Sequence, residues 1–323
     1  MSWVVKSRRG IWLPQVGWWL DAQDGKERSF VSHAHSDHAA RHREVVCTPA
    51  TARLVEARLG GRRVLTTLRY GEVLRTAPDA EVVLHPAGHI LGSAQMQITT
   101  GHGSLLYTGD FKLKAGLTTG PAAAPRADVL IMETTFGLPR YVMPPAGEVH
   151  AAIVAFCRQA LAENVTPVLY AYSLGKSQEL AALLGQAGLP VMLHAHAARI
   201  ARIYAAEGVA LPEIKEFDPI WYRGHVVVTP QQSDILDWIN PKRTAVVTGW
   251  ALDASTRYRY GCDEAFPLSD HADFPELLAF VERVQPRLVY TVHGYAREFA
   301  TTLRARGVEA WALGRGNQLE LSL

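Results

Sequence analysis

The segment Phe30-Val31-Ser32-His33-Ala34-His35-Ser36-Asp37-His38 constrains this chain more than any other. Three imidazoles and a carboxylate follow a short apolar run that reads as a buried strand. A strand end is rigid, and a tight loop leaving it can aim side chains at one point. His33 and His35 are two apart, so they lean to one side of the loop and can share a metal ion. Asp37 and His38 come one step later and can turn to a second ion beside the first. Neutral imidazole and carboxylate suit borderline divalent metals such as zinc, with manganese or iron as alternatives. A single histidine is by default a core or surface residue, but four ligand-type residues at this spacing form a metal-site pattern.

A two-metal site needs more ligands, and three further strand ends offer them. His89 sits in Pro86-Ala87-Gly88-His89-Ile90-Leu91-Gly92-Ser93, where glycines allow close backbone approach. Asp110 follows Leu105-Leu106-Tyr107-Thr108-Gly109 and could bridge both ions through its two oxygens. His293 follows Leu288-Val289-Tyr290-Thr291-Val292 and precedes Gly294. Asp21 is a candidate to orient a ligand imidazole, with Asp24 as its rival and a turn aspartate as the bland alternative for both. His194 and His196 repeat the two-apart spacing without a following carboxylate and read as a surface pair. His42, His85, His102, His150 and His225 take the same bland reading.

The chain has 323 residues, nearly half of them hydrophobic, enough for a substantial core in one large domain or two. Its formal charge of +2 does not announce a nucleic-acid binder, although arginine outnumbers lysine and suits two-pronged phosphate contacts. Cys47, Cys157 and Cys262 are widely spaced and odd in number, which argues for a reducing compartment and against a disulfide framework or a cysteine zinc site. Neither a signal peptide nor a membrane-length apolar run is present, so a soluble cytoplasmic protein is expected.

Strand and helix signals organise the rest. Thr48-Pro49 reads as a helix start and Gly60-Gly61 as its end. Strands are expected near Trp18–Leu20, Glu81–His85, Gln95–Ile98, Ser104–Thr108 and Asp128–Met132. Beyond Pro144-Pro145 strands and helices alternate, the pattern of a parallel, doubly wound sheet. The simplest division is a first part over 1–139, an inserted α/β domain over 140–262, and a return segment over 263–323.

The histidine cluster with His89 and Asp110 resembles the metallo-β-lactamase fold, and the remaining motifs resemble its nucleic-acid-processing branch, the β-CASP family. Glu133 in Met132-Glu133-Thr134-Thr135-Phe136-Gly137 is similar to that family's acidic first motif. His271 in Ser269-Asp270-His271-Ala272-Asp273-Phe274 is similar to the second, and His293 in Val292-His293-Gly294 to the third. The loop Tyr172-Ser173-Leu174-Gly175-Lys176-Ser177-Gln178-Glu179 looks like the family's insert loop. Length and the Thr291–Tyr295 ending look most like the bacterial ligase-associated DNA exonucleases. Ala22 stands after Asp21 where the family usually has proline, and a histidine at the third motif resembles the RNA-processing members.

The resemblance implies an αββα sandwich carrying an inserted β-CASP domain. It implies His33, His35 and His89 on one ion, Asp37, His38 and His293 on the other, and Asp110 bridging, with Asp21 behind them. Glu133 and His271 would form an acid pair near the leaving group, beside Asp37 among the catalytic residues. Two divalent ions, zinc foremost and manganese as alternative, would serve as cofactors. Nucleic acid, DNA ahead of RNA, would be the substrate, and an ATP-dependent DNA ligase and a helicase would be partners.

Two ions sharing a water suit phosphodiester hydrolysis, and a histidine backed by a carboxylate suits protonation of the departing oxygen. Ser173, Gly175 and Lys176, between a strand and a helix, are candidates to hold a substrate phosphate. The leading expectation is a DNA exonuclease acting in end processing or repair, the second an RNA-processing nuclease of the same fold. A small-molecule hydrolase is disfavoured, because the long stretch between Asp110 and His293 leaves room for a whole domain between two ligands.

Overall fold

The computed structural model describes residues 3–77 and 79–314. By its internal contacts the chain divides into two compact units. The first comprises the chain up to Ala115, Thr119–Val142 and the part from His271 onward; the second comprises Gly116–Thr118 and Met143–Asp270.

In the first unit, two sheets face each other. One has six strands in chain order: β1 (Lys6–Ser7), β2 (Ile11–Leu13), β3 (Trp18–Leu20), β4 (Arg28–Phe30), β5 (Glu44–Cys47) and β6 (Val64–Thr67). The other has seven: β7 (Val73–Ala77), β8 (Ala80–Pro86), β9 (Ala94–Thr100), β10 (Gly103–Tyr107), β11 (Val129–Glu133), then β18 (Leu288–Val292) and β19 (Ala310–Ala312). Leu13, Leu20, Phe30 and Val46 pack against Leu84, Met96, Ile98, Leu105, Tyr107 and Ile131 to form the core between the sheets. The alternation along the strands turns Leu106, Leu130, Met132 and Val289 to the opposite face, where α6 (Phe274–Val284) and α7 (Ala296–Ala305) cover them with Leu277, Phe280, Phe299 and Leu303.

Local signals in the sequence explain the helix ends. Helix α1 (Pro49–Leu59) begins with Thr48 accepting the Thr51 N–H and ends at Gly60, as its sequence predicts. Helix α6 is capped by Asp273, whose carboxylate accepts the Glu276 N–H while Glu276 reaches back to the Asp273 N–H. The cap is therefore Asp273.

The second unit is a six-stranded sheet in the order β14-β13-β15-β12-β16-β17, every pairing parallel. Its strands are β12 (Thr166–Tyr170), β13 (Val191–Leu193), β14 (Lys215–Glu216), β15 (Val226–Thr229), β16 (Lys242–Val247) and β17 (Glu264–Phe266). Leu169, Val191, Leu193, Val226, Val228, Ala245 and Val247 face a core shared with α2 (Ala146–Ala162), α3 (Lys176–Gln186) and α4 (Ala195–Ala206). Val168, Tyr170, Met192, Val227 and Val246 face the other way, onto Tyr222 and Ile239. The winding is double, but the second layer is made of the 3-10 turn Asp234–Trp238, the one-turn helix Thr256–Tyr260 and loops rather than long helices.

One boundary differs from expectation. β17 pairs with β16, so the inserted unit runs through Asp270 instead of ending at 262. Glu179 supplies a further tie, accepting the Leu117 and Thr118 N–H groups and so joining Gly116–Thr118 to this unit. No helix among the described residues is long and apolar enough to cross a membrane.

Candidate metal centre

Each expected ligand leaves the end of a strand of the first unit or the loop just after it. The loop after β4 carries His33 to His38, the loop after β8 carries His89, and the turn after β10 carries Asp110. β18 ends at Val292, directly before His293. Tight approach depends on glycine here: Gly109 has φ of +55°, and a Cβ on it would lie 2.5 Å from Ser32.

The donor atoms converge. His35 Nδ1 lies 3.0 Å from His33 Nε2 and 3.1 Å from His89 Nε2. Asp110 Oδ2 lies 3.5 Å from His33 Nε2, 3.8 Å from His89 Nε2 and 3.3 Å from His38 Nε2. His38 Nε2 is also 3.7 Å from Asp37 Oδ2, and its ring centroid is 5.3 Å from that of His293. These separations bear on the bridging role expected of Asp110: one oxygen, Oδ2, faces both groups, where two were expected to divide the work.

Buried hydrogen bonds set the imidazole tautomers. A carboxylate only accepts, so the Asp21 oxygens take the Ser32 N–H at 2.7 Å, the Ser32 hydroxyl at 2.5 Å and the Tyr107 hydroxyl at 2.8 Å. Ser32 Oγ, having donated to Asp21, accepts from His33 Nδ1 at 2.9 Å. His38 Nδ1 donates to Asp21 Oδ2 at 2.8 Å. His33 therefore turns an Nε2 lone pair inward, and His38 aims Nε2 at Asp110, where a lone pair appears once that nitrogen gives up its proton. Asp24 instead pairs with Arg9 at the surface, which decides between the two aspartates. Tyr107 and Ser32 carried no signal in the sequence, because their partners lie far along the chain or depend on a hydroxyl that any serine has.

The electrostatics follow from burial and charge. Burial and the neighbouring His38 push His33 well below the usual imidazole range, so it is held neutral. Burial opposes the charged form of His38, but Asp110 and Asp21 outweigh it and raise its pKa well above the ordinary value. Burial likewise opposes ionisation of Asp110, yet His38 and His271 outweigh it and lower its pKa.

His33, His35, His89 and Asp110 form a group able to hold a metal ion, their ligand atoms lying within 4.8 Å of one another. Bonds of about 2.0–2.1 Å to a tetrahedral centre place ligand atoms roughly 3.3–3.4 Å apart, and the separations above bracket that value. A neutral imidazole nitrogen carries one hydrogen or one lone pair, so His35 Nδ1 cannot bond both nitrogens that approach it. A cation among them resolves the conflict, and the donor set fits zinc.

Beside this group, His271 Nδ1 meets Glu133 Oε1 at 2.8 Å. Glu133 is fully buried and also accepts the Phe111 and Thr135 N–H groups. The His271 ring lies 4.6 Å from that of His89 and is about one-fifth exposed.

The insert loop stands differently from its expected role. Lys176 is buried, its ammonium donating to the Leu268 carbonyl at 2.9 Å and lying 3.4 Å from Asp270 Oδ1. Its charge is matched inside the second unit, so the ammonium is turned to protein partners instead of to a phosphate. Gly175, with φ of +88°, is the helix cap, and the Ser173 carbonyl accepts from Gln178. His194 caps α4 by accepting the His196 N–H, a structural role.

The fold and this centre define a metallo-hydrolase domain. Residues 264–313 match the family described as the Zn-dependent metallo-hydrolase RNA specificity domain. A protein of Opitutus terrae named "Probable DNA ligase" is 53% identical over the whole chain, which spans 32% of that protein. The "5' exonuclease Apollo" of Gallus gallus is 27% identical over 83% of the chain and 59% of that protein. The "Transcription termination factor FttA" of Methanothermobacter thermautotrophicus is 37% identical over 36% of the chain and 19% of that protein. The chain thus spans between a fifth and three-fifths of these relatives' lengths. A crystal structure of a protein from Enterococcus faecalis V583 shares the fold, with a TM-score of 0.63 over 89% of this chain and 79% of that one at 15% identity. The chain is thus similar to nucleic-acid-processing metallo-hydrolases of the β-CASP kind, on the metallo-β-lactamase fold.

Proposed function

We propose that this chain is a two-metal phosphodiesterase of nucleic acid, foremost a DNA exonuclease in end processing or repair. The observation that carries the reading is the convergence on Asp110 Oδ2 of imidazoles from separate strand ends, with the His271–Glu133 pair alongside. His33, His35 and His89 would hold one ion, Asp37, His38 and His293 the other, with Asp110 shared between them. Such a pair of divalent ions, zinc or manganese, activates water and stabilises charge on a phosphate when bound.

The chain's own groups supply the rest. Asp21 holds His38 directly and His33 through Ser32, so their Nε2 atoms are oriented before anything binds. Glu133 keeps a proton on His271 Nδ1, which leaves Nε2 as the atom that delivers the second proton to the departing sugar oxygen. Asp37 and His293 lie on the exposed side and His33 and His89 on the buried side, so substrate approaches from the former.

The likeness to Apollo and to the Opitutus protein supports DNA and association with a ligase; a helicase partner rests on family resemblance alone. One observation favours RNA instead: the matched family is described by RNA specificity, and its segment contains His293. The deciding experiment sets end-labelled DNA beside RNA, each linear and circular, with and without added divalent metal, using Asp110→Asn as control. Metal-dependent loss of linear DNA alone is expected. Equal cutting of circular substrate removes the exonuclease assignment, and preference for RNA transfers the assignment to RNA processing.

A further inference from the structure

We propose that Arg140, held by Tyr141 and Tyr295, binds a backbone phosphate of the substrate strand next to the one being cleaved. This rests on the nucleic-acid reading given above. Arg140 Nη2 donates to the Tyr141 hydroxyl at 3.1 Å and to the Tyr295 hydroxyl at 3.2 Å, and these two oxygens lie 2.9 Å apart. The guanidinium carbon stands 4.9 Å from the Tyr141 ring centroid and 5.7 Å from that of Tyr295. A long side chain normally loses considerable freedom on binding a ligand; here two phenols and two ring faces have already restricted it.

Three features make this arrangement a site. Its place is right: Tyr295 lies two residues beyond His293, and Tyr141 packs at 5.2 Å on Phe136, whose ring is 6.2 Å from that of His271. The residue is exposed, whereas Tyr141 beneath it is buried. Its charge is unmatched, since no carboxylate among the described residues pairs with Arg140 and both its hydrogen bonds come from Nη2. Nη1 and Nε therefore remain to grip two oxygens of an anion, the geometry in which arginine surpasses lysine. Phosphate is the anion that a nucleic-acid strand presents at every step.

The test compares fluorescein-labelled single-stranded DNA binding by the chain carrying Asp110→Asn, to prevent cleavage, with and without Arg140→Gln, by anisotropy from about 0.05 to 0.2 M salt. Loss of one phosphate contact should weaken binding about tenfold and flatten the plot of log affinity against log salt by about 0.7. Arg140→Lys should restore the slope but only part of the affinity, and Tyr295→Phe should keep the slope while weakening binding. An unchanged slope in Arg140→Gln, with its thermal midpoint intact, overturns the inference while cleavage by the unmodified chain still upholds the function. Should the unmodified chain neither bind nor cleave nucleic acid, the functional reading fails, and this inference falls with it.

Discussion

The hydroxyl of Thr134 donates to the backbone carbonyl of His293 at 2.7 Å, 159 positions further along the chain. The same hydroxyl lies 3.1 Å from the Val292 carbonyl, and the Tyr295 N–H returns to the Thr134 carbonyl at 3.0 Å. This clasp holds His293 at φ of +59°, a conformation seldom adopted by a residue with a side chain. Gly294 follows because a Cβ there would lie 2.5 Å from Thr135 Cα.

Thr134→Val keeps the shape and removes the donor. Loss of a part-buried hydrogen bond costs about 0.5–1.5 kcal/mol, and His293 loses one restraint on its direction. The expected outcome is a lower thermal midpoint together with the loss of one metal equivalent before the other, measured by calorimetry and elemental analysis.

Asp21 and Asp24 separate a support of the site from a surface pair. Asp21→Asn removes an acceptor that orients His38, and through Ser32, His33, so metal affinity or activity should fall about 10–100-fold. Asp24→Asn breaks only an exposed pair with Arg9 and should leave both unchanged. Competitive chelator titration reads the difference.

Proton transfer is the role proposed for the His271–Glu133 pair. His271→Ala should lower turnover about 10²–10⁴-fold with metal content unchanged. A variant that loses metal would make His271 a ligand and remove it from that role.

Acid should destabilise the first unit partly through His42. Its ring is buried and accepts the Lys26 N–H at 3.2 Å, and burial pushes its pKa down to about 4. The folded value lies below the ordinary 6.5, so the unfolded chain binds more protons between the two. This contribution is complete above about pH 6.5 and is lost as pH falls toward 4. Urea unfolding across that window should show a shallower pH dependence for His42→Gln than for the unmodified chain.

The meeting of His33, His35, His38, His89 and Asp110 was legible because each stands in a short local pattern at a strand end, and Asp37 and His293 remain proposed ligands on the same pattern. So was α1, whose cap, proline and closing glycine are neighbours in sequence. What escaped reading depends on distance. Tyr107 supports Asp21 from 86 positions away, and Lys176 looks like an anion-loop lysine until the Leu268 carbonyl, 92 positions on, is seen to hold it. β6 and β7 lack a clean apolar alternation, and β17 is three residues long, too short to betray its sheet before pairing. The Arg140–Tyr141–Tyr295 contact joins two segments on either side of the insert and carries no sequence signature.

β11 and β18 lie side by side, Glu133 opposite Val292, although the whole inserted unit is synthesised between them. A ribosome must therefore deliver the whole inserted unit before the last proposed ligand can dock, and until then β11 is an open edge lacking its β18 neighbour. In the reading proposed above, the second metal position therefore stays incomplete for as long as the insert is being synthesised, and only the return segment can finish it.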